Sequence, residues 1–143
     1  MTQLVQLAIT DSGAGSATYQ LTLNRTHHGT GDWPDHANTN FTRIVLPVDA
    51  TLVTATLDGQ PVSSTPPEPA ASRTAIGFQI DTPPGATRTL VATFSVPINR
   101  SGQPTFTWQK QPGVVADDVT VTYNGQSLIH GSVDRDKVVK LPR

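Results

Sequence analysis

Short runs of alternating apolar and polar residues recur along the chain, and turn-forming residues separate them. Examples are "ATYQLTLN" at 17–24, "TRTLVATFSV" at 87–96 and "DVTVTY" at 118–123. Successive side chains of a β-strand point to opposite faces, so this alternation is typical of strands with one buried face. About ten such runs occur at the spacing expected of a sandwich or barrel. The sequence therefore predicts an all-β fold, a single immunoglobulin-like or related β-sandwich of about 8–10 antiparallel strands.

Two dipeptides between alternating runs predict tight hairpins. Asp58-Gly59 and Asn124-Gly125 supply the positive φ angles that a type I′ turn requires. The surrounding segments, "VTATLDGQPV" at 53–62 and "VTVTYNGQSL" at 119–128, also resemble each other. Either an internal duplication or the convergence of two Thr-rich hairpins explains this likeness, and the sequence leaves both open. Residues 63–72 contain three prolines, which cannot donate ladder hydrogen bonds, and this predicts an exposed loop.

Length, charge and cysteine usage exclude several classes of protein. The 143 residues suit one domain spanning 1–143. Cysteine is absent, so disulfides and thiolate metal ligands are excluded. Ten basic residues are scattered among eleven acidic ones, which argues against nucleic acid as a partner. The apolar runs are far shorter than the ~20 residues of a membrane span, so we expect no direct membrane insertion by this segment. If the protein works outside the cell, we expect its export signal and anchor to lie elsewhere.

The alternation also predicts which side chains form the core. Phe106 and Trp108 share one strand face, and we expect Trp108 to be a buried anchor. The complete predicted core is Leu21, Leu23, Ile44, Leu46, Leu57, Ile76, Phe78, Leu90, Phe94, Trp108, Val119, Val121 and Tyr123.

Several ordered segments resemble the C-terminal β-rich region of a bacterial envelope family, catalogued as domain of unknown function 4012. The segments are "FTRIVLPVDATL", "DTPPGATRTLVATFSVP" and "FTWQKQPG". The matching residues are Arg43, Pro47, Leu52, Pro84, Gly85, Pro97, Gln109, Lys110, Gln111, Pro112 and Gly113. The resemblance implies that residues 1–143 are a fragment of a larger envelope protein, at an extracellular or cell-surface location, and that they form a non-catalytic structural or interaction module. Its implied partners are other parts of the parent protein or another surface protein, and the family's association with surface-polysaccharide genes adds polysaccharide.

The polar segment "NRTHHGTGDWPDHANTN" at 24–40 holds the candidate metal ligands. They are His27, His28, Asp32, Asp35 and His36. Imidazole and carboxylate groups bind zinc or calcium, but adjacent histidines point apart in extended chain and no HExxH or calcium-loop motif is present. We therefore expect residues 25–40 to form a loop between two strands, in which His27, His28 and His36 share no metal. No cofactor is expected, although a metal-dependent enzyme centred on residues 27–36 stays an alternative.

The same segment provides the candidate ligand-binding residues Trp33, Asp32, Asp35 and His36. Carbohydrate modules stack sugars on exposed aromatic rings, so a glycan-binding module using the loop around Trp33 is a second alternative. Pro34 biases Trp33 toward an extended conformation, which turns the indole either onto the sheet edge or outward. We predict that it covers the sheet edge as a lid, because its burial would offset part of the cost of ordering the loop.

Catalytic groups outside this segment form no recognisable motif. The chain has no GxSxG or SxxK sequence. His130 lies in a strand, where a packed or edge histidine is the simpler interpretation. The only glutamate, Glu68, is in the Pro-rich segment, and Asp117-Asp118 mark a strand entrance. We therefore predict no catalytic residues and no enzyme activity.

Overall fold

A computed structural model describes residues 1–98, 101–102, 104–109 and 117–142. Within these ranges the chain is all-β, which confirms the predicted fold class. The strands are β1 (Thr2–Asp11), β2 (Ser16–Thr26), β3 (Asn38–Pro47), β4 (Thr51–Leu57), β5 (Gln60–Pro61), β6 (Glu68–Ala70), β7 (Arg73–Thr82), β8 (Thr87–Pro97), β9 (Thr105–Trp108), β10 (Asp117–Tyr123), β11 (Gln126–Val133) and β12 (Lys137–Lys140). Most of the "QKQPG" match, from Lys110 to Gly113, lies outside the described residues. In the described ranges, no helix has the length and apolarity to cross a membrane.

The strands form one large sheet and two small ones. The large sheet has seven strands in the order β11-β10-β1-β2-β8-β4-β5. The small sheets have the orders β3-β7-β6 and β12-β9. Side chains from the small sheets join those of the large sheet in one core, as a sandwich requires. Two details differ from prediction: the described residues contain two very short extra strands, β5 and β6, and β1 pairs with β10 in parallel.

The two predicted hairpins are confirmed. Asp58 and Gly59 have φ angles of 52° and 78°, and Asn124 and Gly125 have 46° and 82°. The turns connect β4 to β5 and β10 to β11. These hairpins occupy opposite edges of the large sheet, but β4 is antiparallel to β8 whereas β10 is parallel to β1. Their surroundings therefore differ, and strand direction does not favour an internal duplication.

The Pro-rich segment is partly a strand, so the prediction of a loop over residues 63–72 is wrong for β6. Glu68–Ala70 pairs with Arg73–Ala75 of β7 at the edge of the three-stranded sheet. Pro69 is acceptable there because the outer side of an edge strand has no ladder partner for a missing N–H group.

Most of the predicted core is buried. The exceptions are Leu21, Ile44, Leu57 and Trp108, which are only partly buried against the core. Alternation identifies the inner face of a strand, but it does not reveal how fully a second layer covers that face. Trp108 packs against the core as predicted, but it is only partly buried. Buried residues that the prediction missed include Val5, Ile9, Ala17, Ile80, Ala92, Val96, Ile129, Val133 and Leu141.

Candidate functional site

The polar segment forms a loop between β2 and β3, and its first residue is fixed to the turn before β8. The backbone N–H of His27 donates to the carbonyl of Ala86, and the N–H of Gly85 donates to the carbonyl of His27, each at 2.9 Å. These bonds extend the ladder in which Thr26 pairs with Thr87. The loop therefore covers residues 27–37, narrower than the predicted 25–40, because the strands continue into both ends.

Side chains of the loop hold its interior together. The Nδ1 atom of His27 accepts a hydrogen bond from the Gly29 N–H at 2.9 Å, so its Nε2 carries the proton that is donated to the His36 carbonyl at 3.1 Å. Asp35 accepts the Thr30 N–H at 3.0 Å. A Cβ atom on Gly29 would lie 2.6 Å from His27 Cε1 and 2.7 Å from Asp35 Oδ2. Any residue larger than glycine at this position would therefore require the His27 or Asp35 side chain to move.

Trp33 occupies the tip of this loop and points into solvent. The Asp35 N–H donates to the Asp32 carbonyl at 2.7 Å, which closes a turn around Trp33 and the cis-bonded Pro34. The Trp33 side chain is 87% exposed. The prediction that Trp33 forms a lid is therefore wrong. Hydrogen bonds made by His27 and Asp35 order the loop from within, so the loop does not need a buried indole for its order.

The structure places the other predicted ligand-binding residues next to Trp33. Asp32 accepts a hydrogen bond from the Thr30 hydroxyl at 3.2 Å, so part of its carboxylate is engaged within the loop. Asp35 is half-buried and His36 is exposed. Asp32 and His36 thus present exposed polar groups in the same loop as Trp33.

The side chains of the candidate metal ligands do not converge on one point. Both ring nitrogens of His27 bond to loop backbone, and His28 Nε2 instead lies 2.9 Å from the Thr2 hydroxyl at the start of β1. Within the described ranges, no group of three His, Cys, Asp or Glu residues is placed to hold a metal ion. The arrangement gives no positive support to a metal site at residues 27–36.

The remaining titratable candidates have separate neighbours. His130 Nδ1 lies 3.2 Å from the Thr120 hydroxyl on the adjacent strand, and Glu68 lies 3.9 Å from Arg43. Asp117 is buried at the start of β10, close enough to Arg25 for its charge to act on the pKa of the guanidinium. Burial lowers the pKa of the Arg25 guanidinium, and the negative charge of Asp117 opposes that effect.

The domain also has a cleft that was not anticipated from the sequence. It is a cleft of about 770 Å³ between β3 and β9, over the inner face of the large sheet. Trp108 lines it, and the indole N–H is buried without a hydrogen-bond partner among the described residues. Arg25 also lines it, and its guanidinium donates to Gln3 at 2.7 Å and to Thr42 at 3.5 Å. The sequence signal for this cleft was weak, since partial burial does not alter the alternation of a strand.

No protein-family model and no curated protein matches the sequence. Among solved structures, the chain is similar to an M1 zinc metallopeptidase from Deinococcus radiodurans, with a TM-score of 0.42 and 16% identity over 86% of this chain and 31% of that one. It is also similar to a two-domain M1 zinc metallopeptidase mutant bound to L-tryptophan, with a TM-score of 0.41 and 17% identity over 85% of this chain and 32% of that one. The chain thus spans about a third of these proteins. Likeness at this level supports no statement about activity.

Proposed function

We propose that this domain is a non-catalytic interaction module of a bacterial cell-surface protein, and that its contact surface is the loop 27–37. The observation that carries the proposal is the exposure of Trp33 at the tip of a loop whose own hydrogen bonds hold it in place. A pre-ordered aromatic side chain loses little conformational freedom when a partner covers it. The surface location rests on the sequence resemblance to the envelope family.

A glycan is the partner class that the loop favours, as a second candidate within this proposal. An indole face stacks on the C–H groups of a sugar ring, and the neighbouring Asp32 and His36 offer polar groups to its hydroxyls. Protein partners also use exposed tryptophan as an anchor, so the experiment has to separate the two.

Co-sedimentation of the purified domain with bacterial cell walls tests the contact surface. We expect the wild-type domain to sediment with the walls and Trp33→Ala to lose about ten-fold or more in affinity, since a central tryptophan is often a binding hot spot. Phe41→Ala is the matched control, because Phe41 is another exposed aromatic residue, on β3. Equal binding by Trp33→Ala and wild type would contradict the proposal, as would failure of the wild-type domain to bind.

Treatment of the walls identifies the partner. Periodate cleaves the vicinal diols of sugars, whereas a protease removes proteins. Loss of binding after periodate alone supports the glycan. Loss after protease alone supports a surface protein and rules out the glycan candidate.

A further inference from the structure

The outer face of the seven-stranded sheet is the face that points away from the core. Residues that pair directly on neighbouring strands share a face, so the pairing gives the composition of each row across the sheet. The middle row of the outer face contains, in order from β4 to β11, Thr54, Thr93, Gln20, Ala8, Thr122 and Ser127. Ala8 and Gln20 are exposed although β1 and β2 are interior strands of the sheet, so no second layer covers the face at these positions.

Threonine is frequent on this outer face, and formal charge is almost absent from it. The rows beside the middle one hold Thr10 and Thr18 on one side, and Thr22 and Thr120 on the other. Among the described residues of the face, Asp118 is the single Asp, Glu, Lys or Arg, although the chain has ten basic and eleven acidic residues. A surface that only has to be soluble usually mixes charges of both signs. The composition therefore favours contact with an uncharged partner.

A depression of about 230 Å³ lies over Ala8 on this face. The Ala8 methyl group is shorter than the side chains around it, which leaves a hollow in the row. Its lining includes the amides of Gln6 and Gln20 and the hydroxyls of Thr22, Thr120 and Thr122. Each of these amides and hydroxyls can both donate and accept hydrogen bonds. The depression therefore offers polar groups of both kinds at one point, and none of its described lining residues is charged.

The composition of the outer face excludes several classes of partner. In the part of the chain that the structure describes, this face carries no Lys or Arg, so it lacks the cations that nucleic acids and anionic polysaccharides require. It also carries no Phe, Trp or Tyr there, and protein interfaces depend on aromatic and arginine anchors. Sugar hydroxyls donate and accept hydrogen bonds without charge, which matches the amides and hydroxyls of the face.

We propose that the outer face of the seven-stranded sheet binds a neutral polysaccharide, with one sugar residue seated in the depression over Ala8. The side-chain amides of Gln6 and Gln20 bond to the hydroxyls of that sugar. The threonine methyl and hydroxyl groups of the neighbouring rows contact the sugars on either side of it. The site does not involve Trp33, so it goes beyond the proposed loop contact and does not depend on it.

Affinity electrophoresis tests the class of ligand. The purified domain is run through native gels that contain hydroxyethyl cellulose, laminarin, dextran or mannan, which are neutral, or alginate, which is anionic. We expect at least one neutral polymer to retard the domain and alginate not to retard it. Absence of retardation by all four neutral polymers would overturn the proposal. Retardation by alginate alone would overturn it as well, because the ligand would then be anionic.

Substitutions at the depression test the position of the site. Gln20→Leu removes an amide without shortening the side chain much, and Ala8→Gln fills the hollow without adding charge. We expect each to weaken binding of the retarding polymer about five-fold or more. Gln79→Leu is the matched control, because Gln79 is an exposed glutamine on β7 of the three-stranded sheet. Urea unfolding confirms that the variants are folded, and wild-type affinity in both Gln20→Leu and Ala8→Gln would overturn the site.

The Trp33→Ala variant separates this site from the loop contact. We expect it to bind the retarding polymer as the wild type does, and titration of that polymer should shift the amide resonances of residues 6–8, 20–22 and 120–122. Loss of binding in Trp33→Ala, with shifts confined to the loop 27–37, would place the glycan on the loop and overturn this inference. Retained binding in Trp33→Ala, together with failure of the loop contact, would leave it standing.

Discussion

The Arg88 guanidinium donates to the Asp58 carboxylate at 2.6 Å, across the turn that joins β4 to β5. The same carboxylate accepts the backbone N–H of Thr89 at 2.8 Å. The Thr89 N–H bond, followed by the Arg88 bond, holds the pKa of Asp58 below its usual value. A turn residue is thereby tied to the neighbouring strand of the large sheet.

This relationship predicts a pH dependence of stability. Because the pKa of Asp58 is lowered in the folded state, its contribution is present above the unfolded-state pKa and is lost as pH falls through the folded-state pKa. The free energy of unfolding should therefore decrease below about pH 4, and Asp58→Asn should remove part of that decrease. Urea unfolding at pH 7 and pH 3 measures the difference. Arg88→Gln should keep part of the effect because the Thr89 bond remains, and an unchanged profile in Asp58→Asn would contradict the assignment.

A substitution at Leu90 measures how much a buried core side chain contributes to stability. It is 0% exposed on β8, between β2 and β4. Leu90→Ala is expected to lower the free energy of unfolding by about 2–5 kcal/mol, because a cavity remains where the side chain was. Val138→Ala is the control at 65% exposure, with an expected change within about 0.5 kcal/mol. Urea unfolding of the two variants should separate them clearly, and similar losses would contradict this account of the core.

A substitution at Gly29 tests how the loop 27–37 is held in place. In Gly29→Ala the new methyl group collides with His27 and Asp35, so their hydrogen bonds to His36 and Thr30 cannot both persist. We expect a destabilisation of about 1 kcal/mol or more, together with faster amide exchange across the loop. Gly102→Ala is the control, since a Cβ there meets no atom within 4 Å. Normal exchange rates in Gly29→Ala would show that the loop does not depend on this packing.

A substitution at Tyr123 measures how much a hydrogen bond between β10 and β1 contributes to the free energy of unfolding. Its hydroxyl donates to the Asp11 carboxylate at 2.7 Å, and the two residues lie far apart in the sequence. Tyr123→Phe should cost about 1–3 kcal/mol, the range for a hydrogen bond to a charged group. Tyr19→Phe serves as the comparison, because Tyr19 is also partly buried, and burial and then the charge of Asp11 raise the pKa of its hydroxyl, so it feels the same carboxylate without the Tyr123 bond. Thermal or urea unfolding should rank Tyr123→Phe below Tyr19→Phe, and the reverse order would count against the bond.

The candidate site was only partly accessible from the sequence. The polar loop and its flanking strands could be located because alternation stops after β2 and resumes at β3. The outward direction of Trp33 could not, since it accompanies hydrogen bonds that His27 donates and Asp35 accepts only when the loop closes. The gain from burying the indole was the wrong criterion for the position of Trp33, because those hydrogen bonds order the loop without it.

The sequence by itself determined the longer strands, the two type I′ turns and most of the core, because each depends on neighbouring residues. Asp58-Gly59 and Asn124-Gly125 adopt positive φ angles wherever their strands are placed. Only the tertiary structure decided that β1 and β10 run parallel and that β3 and β9 belong to separate sheets beside a cleft. Those features depend on pairing between strands distant in sequence, and the alternation within a strand is the same whichever neighbour it pairs with.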